Sequence, residues 1–278
     1  MESLKKIPRT VVVTGTSSGI GKGLCEALLK KGYQVFGTLR NEKDANKLKK
    51  EFGENFDPLI MDVTNEKQVY KAKEQVKEAI GGRYLSALIN NAGIATLGPV
   101  EFLSTSDFKK QLDIKVLGTF LCTKIFLPLL GTNQSLIGKP GRILNISSIL
   151  GGKIGSPFMS GYCASKHAIE AFSESLRREL KPYGVKVIIV APGSVSTPIW
   201  QVVKKQKDLN KYYKTKYEIP FKKILNSLEK FDQNSLPMRE LSEVIIHCIE
   251  TKRPNIRYNP TKDYTQKIWP YIPKKNYG

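Results

Sequence analysis

Tyr162 and Lys166 stand four residues apart in GYCASKHAIEAF (161–172), at the start of a helix-patterned stretch. Residues at i and i+4 share one helix face. A lysine ammonium beside a phenol favours the phenolate, because an opposite charge lowers an acid's pKa. The pair is therefore suited to moving a proton; taken alone, it is also what an exposed Tyr and Lys look like. A second chemical candidate is TGTSSGIG (14–21), a glycine-rich turn between an apolar run and a helical pattern. Gly15 allows a sharp turn, Gly19 leaves room for a pyrophosphate, and Gly21 lets the helix pack closely. The helix N-terminus offers free N–H groups and a positive dipole end to phosphates. The spacing is GxxxGxG, not the GxGxxG of the broadest dinucleotide fingerprint.

These residues need a scaffold, and the chain alternates apolar β-branched runs with helical patterns. Strands are expected at 10–15, 33–39, 57–63, 84–93, 141–148 and 185–193, with 255–259 as an edge strand. Helices are expected near 20–31, 44–52, 66–80, 105–130, 161–181 and 241–251. Near-continuous apolar strands alternating with helices predict an α/β fold, a doubly wound parallel sheet in one domain. Its ligands sit beyond the carboxyl ends of the strands. The stretch 194–237 breaks the rhythm. It is long, polar, aromatic and basic, with KKQKDLNKYYKTKY at 204–217, and it is expected to be a mobile substrate lid. Trp200, Tyr212, Tyr213, Tyr217 and Phe221 either line a pocket or fasten this lid to the core.

The 278 residues, 40% hydrophobic, are enough to bury a substantial core. No run of about 18 apolar residues occurs, so no spanning helix is expected. MESLKKIPRTVVVTG runs into the first strand without the apolar region and cleavage site of a signal peptide, and a cytoplasmic location is expected. Cys25, Cys122, Cys163 and Cys248 lack CxxC spacing and read as reduced thiols, with no metal site. The two histidines, His167 and His247, supply a metal site or Ser-His-Asp triad poorly, and His167 reads as a helix-surface residue. The formal charge of +20 attracts phosphates, anionic lipids or acidic partners. No nucleic-acid-binding signature accompanies it, so nucleic acid is not an expected partner. IWPYIPKK (268–275), in a C-terminal extension at 260–278, either touches a membrane interface or docks on the protein's own core.

TGTSSGIG, NNAG (90–93), YCASK (162–166) and APG (191–193) together resemble the classical short-chain dehydrogenases/reductases, in family order. TLR (38–40), YCASK and the RY of NIRYN are most similar to the hydroxysteroid/retinol dehydrogenase branch. The resemblance implies a Rossmann-type fold and hydride exchange between a nicotinamide and an alcohol or carbonyl. Tyr162 is implied as general acid/base, with Lys166 tuning it and binding the nicotinamide ribose. A free Tyr has pKa about 10, and lowering it by about three units needs roughly 4 kcal/mol of phenolate stabilisation. Ser148 is implied as the substrate-orienting hydroxyl, chosen over Ser147 by matching ILG (149–151); neighbours on a strand face opposite ways.

For the cofactor, the resemblance implies Gly15, Ser17, Ser18, Gly19, Ile20 and Gly21 in the turn, and Asn90, Ala92 and Gly93 in the loop after the fourth strand. It implies Asp62 on the adenine amino group and Val63 against the base. Pro192, Gly193 and Val195 shape the nicotinamide loop, and Thr197 bonds the carboxamide. Arg40 ends the second strand where NAD-specific folds place an acid, so NADP(H) is expected over NAD(H). Lys115 departs from the family: LDIKVLGTF (112–120) has Lys where an Asn of the proton relay usually stands. A working variant or an altered pH optimum is expected over lost turnover.

The expected substrate is an apolar alcohol or carbonyl compound, such as a steroid, retinoid or lipid-like molecule. Reduction of a 3-oxoacyl thioester and a non-catalytic dinucleotide-binding regulator are the alternatives. Family members commonly form homodimers or homotetramers through long helices, and peripheral membrane contact accords with the basic charge.

Overall fold

Three consecutive valines set the centre of the sheet. In β1 (Thr10–Val13) Val11 and Val13 point to one face and Val12 to the other, as the two-residue period of a strand requires. The computed structural model describes residues 9–152, 154–197 and 207–262. Trp200 and the 268–275 segment, with the expectations placed on them, lie outside the described residues.

The chain continues through α1 (Gly19–Lys30), β2 (Gln34–Leu39), α2 (Glu42–Phe52), β3 (Phe56–Ile60), α3 (Glu66–Ile80) and β4 (Ala87–Asn90). After α4 (Thr105–Leu112) and α5 (Gly118–Leu127) come β5 (Arg142–Ile146), α6 (Ser160–Glu179) and β6 (Lys186–Val190). Then follow α7 (Glu218–Gln233), α8 (Met238–Glu250) and the edge strand β7 (Arg257–Tyr258). The seven described strands pair in parallel in the order β3-β2-β1-β4-β5-β6-β7. The order reverses between β1 and β4, the topological switch point at which such sheets open a crevice. Val11 and Val13 pack with Leu24 and Leu28 of α1 and with Leu241 and Ile245 of α8. Val12 packs with Val76 of α3, Phe126 of α5 and Leu176 of α6. The expected single-domain, doubly wound fold is the one found.

One expectation needs correction. The single helix at 105–130 is interrupted by π-helical turns at Asp113–Leu117 and Pro128–Thr132. Gly118 follows the first, where an added Cβ would sit 2.6 Å from Val63 Cγ2, so only glycine allows that approach. Thr105–Thr132 as a whole is long and apolar enough to cross a membrane by length and composition, with mean hydropathy 1.6 over its most apolar 18 residues. Of that window 61% is buried inside the protein.

The stretch 194–237 carries elements of its own. Its described part folds as a 3-10 segment, Lys207–Lys214, and the helix α7. The two ends are pinched together: Ser196 N donates to Leu236 O (3.0 Å) and Leu236 N to Ser194 O (2.8 Å). Phe221, Ile224, Leu225 and Leu228 fall on one helix face and join a third apolar cluster with Leu97, Met159, Leu209 and Tyr212. Tyr212 and Phe221 are thus buried in packing, and the Tyr217 hydroxyl is tied to Glu101 Oε2 (3.0 Å).

Candidate active site

At the carboxyl ends of the strands lies a cleft of about 810 Å³. Its floor begins at the glycine-rich turn. Gly15 has φ +72°, and a Cβ there would sit 2.8 Å from Ala92 Cα. At Gly21 a Cβ would sit 2.1 Å from the Gly15 carbonyl oxygen. Only glycines let this turn fold back on its own helix and approach the loop after β4. Two side chains hold it: Gly15 N donates to Thr38 Oγ1 (2.9 Å), and Asn91 Nδ2 donates to Thr14 O (2.9 Å) and Gly15 O (3.1 Å). Ser18 precedes α1 in extended conformation and its side chain makes no cap bond; no acid occupies the helix's first turn. The first N–H groups and the positive helix end therefore face the cleft uncompensated, as a pyrophosphate requires.

The cleft brings together nearly all the predicted residues. Gly15, Ser17, Ser18, Gly19 and Ile20 line it at the turn; Arg40, Asp62 and Val63 line it at the ends of β2 and β3. Ala92, Gly93, Pro192, Gly193, Val195 and Thr197 line its middle, and Ser148, Tyr162, Lys166 and Lys115 its reactive end. Gly21 lies behind the turn and shapes it. Asn90 is the exception. Its side chain is buried away from the cleft, donating to Thr123 Oγ1 (3.1 Å) and Asn145 Oδ1 (2.8 Å). Its neighbour Asn91, which sequence reading passed over, both lines the cleft and fastens the turn. The doubled Asn of NNAG was the available signal, but which one faces the turn is set by the parity of β4.

Ser148 and Ser147 divide as strand geometry demands. Ser148 caps the turn after β5, its Oγ accepting from Leu150 N (3.2 Å), and its hydroxyl acts on the Tyr162 phenol so as to lower its pKa. Ser147 Oγ donates to Glu170 Oε1 (2.7 Å). Glu170 is in turn held by Arg257 (Nε to Oε2 3.1 Å, Nη2 to Oε1 3.0 Å), which ties α6 to β7. Lys166 is buried and its Nζ donates to Ile146 O (2.6 Å). His167 bonds the Cys163 carbonyl through Nδ1 (2.8 Å) and takes no part in the site.

The electrostatics differ from the sequence expectation. Burial pushes the Tyr162 phenol up, and the Ser148 hydroxyl offsets only part of that. Burial also brings the Lys166 amine down to about 8. Tyr162 is therefore a proton donor at rest. Lys115 stands in the π-helical turn Asp113–Leu117. Its Nζ lies 4.6 Å from the Tyr162 ring centroid, nearer than Lys166 Nζ at 5.8 Å. Burial and the neighbouring Lys166 hold Lys115 well below the ordinary lysine range.

The glycine turn, the Tyr-Lys helix and the switch-point cleft are accompanied by a match to the family model of short chain dehydrogenases over residues 9–208. The chain belongs to the short-chain dehydrogenase family. Short-chain dehydrogenases are NAD(P)-dependent oxidoreductases acting on CH–OH groups, and this chain resembles the retinol dehydrogenase branch among them. It is 35% identical over 250 residues to an NADPH-dependent 3-dehydrocapnine reductase of Ornithobacterium rhinotracheale, covering 90% of this chain and 87% of that one. It is 34% identical over 261 residues to mouse (Mus musculus) retinol dehydrogenase 16, covering 90% and 79%. A solved short-chain dehydrogenase from Streptomyces avermitilis shares the fold with TM-score 0.78 at 23% identity, over 96% of this chain and 92% of its own. Another, from Burkholderia cenocepacia in complex with NADP, gives 0.70 at 25% identity, over 94% and 91%.

Proposed function

We propose that this short-chain dehydrogenase interconverts a carbonyl and an alcohol on an apolar, lipid-like substrate, a steroid or retinoid being the model shape, with NADP(H) and with Tyr162 as acid/base. The observation that carries the reading is the convergence of Ser148, Tyr162 and Lys166 at the end of the cleft walled by Leu97, Met159, Leu209, Tyr212 and Leu228. When bound, the nicotinamide dinucleotide supplies or takes the hydride. The chain's residues handle the oxygen. Ser148 orients the carbonyl through its hydroxyl, and Tyr162 gives its proton to that oxygen during reduction. Lys166 places a charge beside the phenol and a donor for a ribose hydroxyl. The glycine turn and the N-terminus of α1 hold the pyrophosphate, while Asp62 and Val63 receive the adenine. Pro192, Gly193, Val195 and Thr197 form the wall for the nicotinamide. The 194–237 insertion, whose described part includes the 3-10 segment and α7, serves as the substrate lid.

Arg40 supports the cofactor preference. It is exposed at the end of β2, lines the cleft, and has no ion-pair partner among the described residues. Its guanidinium is available to a 2′-phosphate as a bidentate fork. The NADPH dependence of the Ornithobacterium relative points the same way, and NAD(H) is the weaker substrate on this reading. The exposed Leu117 and Phe120 beside α6 suit assembly as a homodimer or homotetramer. The +20 charge suits a cytoplasmic protein that touches anionic membrane surfaces peripherally.

NADPH oxidation by the purified protein, screened against steroid ketones, retinal, long-chain 3-oxo lipids and 3-oxoacyl thioesters, tests the reading. Turnover of the apolar carbonyls is expected. Turnover confined to the thioesters replaces the substrate class, and NADPH binding with no turnover on the whole panel overturns the enzymatic reading.

A further inference from the structure

Two lysines share one buried wall of the site. Lys115 is 5% exposed and Lys166 7% exposed, and their amino groups converge on one ring. Both nitrogens face the same phenol, at 4.6 and 5.8 Å from its centroid. No ion pair joins either lysine to a carboxylate among the described residues, although the Glu170 charge acts on Lys166. The charges nearby are already engaged. Glu170, one turn beyond Lys166 on α6, is held by Arg257 of β7. Asp113, on Lys115's own turn, is paired with Lys109 of α4 (2.6 Å), and Lys124 of α5 with Glu66 (3.0 Å). Asp107 and Lys110 of α4 line the cleft with opposite charges, and Asp62 accepts from Thr64 N and Oγ1. Lys115 is also clamped: a Cβ at Gly93 would sit 2.8 Å from its Nζ, so the amine is pressed against the loop backbone.

Two ammonium groups in contact in a dry site repel each other, and burial already disfavours each charge. One ammonium and one amine do the opposite, since –NH₃⁺ donates and –NH₂ accepts. We propose that Lys115 and Lys166 hold one proton between them, with Lys115 as the neutral amine accepting a hydrogen bond from the Lys166 ammonium. Lys115 is then a positioning residue: it keeps the single cation of the pair beside Tyr162. The proposal rests on the Tyr162 reading for its catalytic meaning, but the protonation state stands independently of it. The titrations accord with this arrangement: burial lowers both amines, Lys115 offsets part of that at Lys166, and the Lys166 charge lowers Lys115 further. The pair titrates as a unit, so its steps belong to the dyad.

The test is a ¹³C NMR titration of the full chain labelled with [ε-¹³C]lysine, from about pH 6 to about pH 10, spanning the ordinary lysine range. Signals are assigned with Lys115→Asn and Lys166→Met, or with Lys115→Gln should the first not fold. At neutral pH one of the two signals is expected at the amine position and the other at the ammonium position. Both remaining at the ammonium position to about pH 9 would overturn the proposal. Kinetics provides the second readout. In Lys115→Met the alkaline limb of the reductive kcat/KM profile is expected to move down by about one pH unit. In Lys115→Asn, whose amide oxygen accepts the same hydrogen bond, the limb is expected to return toward the wild-type position. A limb unmoved in Lys115→Met counts against the pair. Inactivity on every carbonyl, with the NMR result as expected, counts against the proposed function alone.

Discussion

Tyr162 must carry a proton to give one away, and its burial ensures that it does. Because the phenol is pushed above its ordinary value, the acid form needed for carbonyl reduction prevails at neutral pH. The phenolate needed for alcohol oxidation appears only as pH rises. Oxidation of an alcohol substrate should therefore reach its maximum at a higher pH than reduction of the matching carbonyl. Steady-state kcat/KM profiles in the two directions measure this, and coincident optima would contradict it. Arg40 makes a separate claim at the same scale. Arg40→Ala removes the fork offered to a 2′-phosphate, so KM for NADPH should rise about tenfold or more while that for NADH changes little, a charge-assisted bond being worth roughly 1.5–3 kcal/mol. An equal change in both would assign Arg40 to adenine stacking.

The elements position these groups through very tight contacts, and the glycine turn is among the tightest. Gly21→Ala must push a methyl carbon into the Gly15 carbonyl, which lies 2.1 Å from the Cβ position. Overpacking of this kind costs about 1–3 kcal/mol, so a fall in Tm and at least tenfold weaker NADPH binding are expected. Unchanged NADPH titration in this variant would remove the turn from the cofactor site. The turn was legible in the sequence because it is local: strand, glycines and helix follow one another within 21 residues of chain, from Thr10 to Lys30. So was the Tyr162–Lys166 face, which needs only helical spacing. The π-helical turn at Asp113–Leu117 was not, since no proline or other helix breaker in DIKVL marks it. The helix α7 was hidden differently. Its apolar positions carry a helical period, but lysines and aromatics around them read as a polar insertion.

At the scale of the whole molecule, burial governs both stability and chemistry. The folded protein holds Lys166 at about 8, against an ordinary 10.5, so between these values the unfolded chain binds more protons. The cost of burying this ammonium is present in full below about pH 8 and is relieved as pH rises toward 10.5. Buried thiols act in the opposite sense: Cys122 and Cys248 are pushed up from 9.0 to about 12, so their contribution is lost as pH climbs above 9. Urea unfolding should therefore show wild type gaining about 1 kcal/mol relative to Lys166→Met between pH 8 and pH 9. A difference that stays constant across that interval would contradict it. The raised phenol was the feature least legible in the sequence, because helical spacing shows which groups are neighbours but not how dry their surroundings are. The cleft unites a cofactor cradle with one proton donor, and Tyr162→Phe tests that union most directly. NADPH oxidation on a turned-over carbonyl should fall by about 10²–10⁴-fold while the NADPH dissociation constant, read by fluorescence, stays within about threefold. Turnover within a few-fold of wild type would contradict the account.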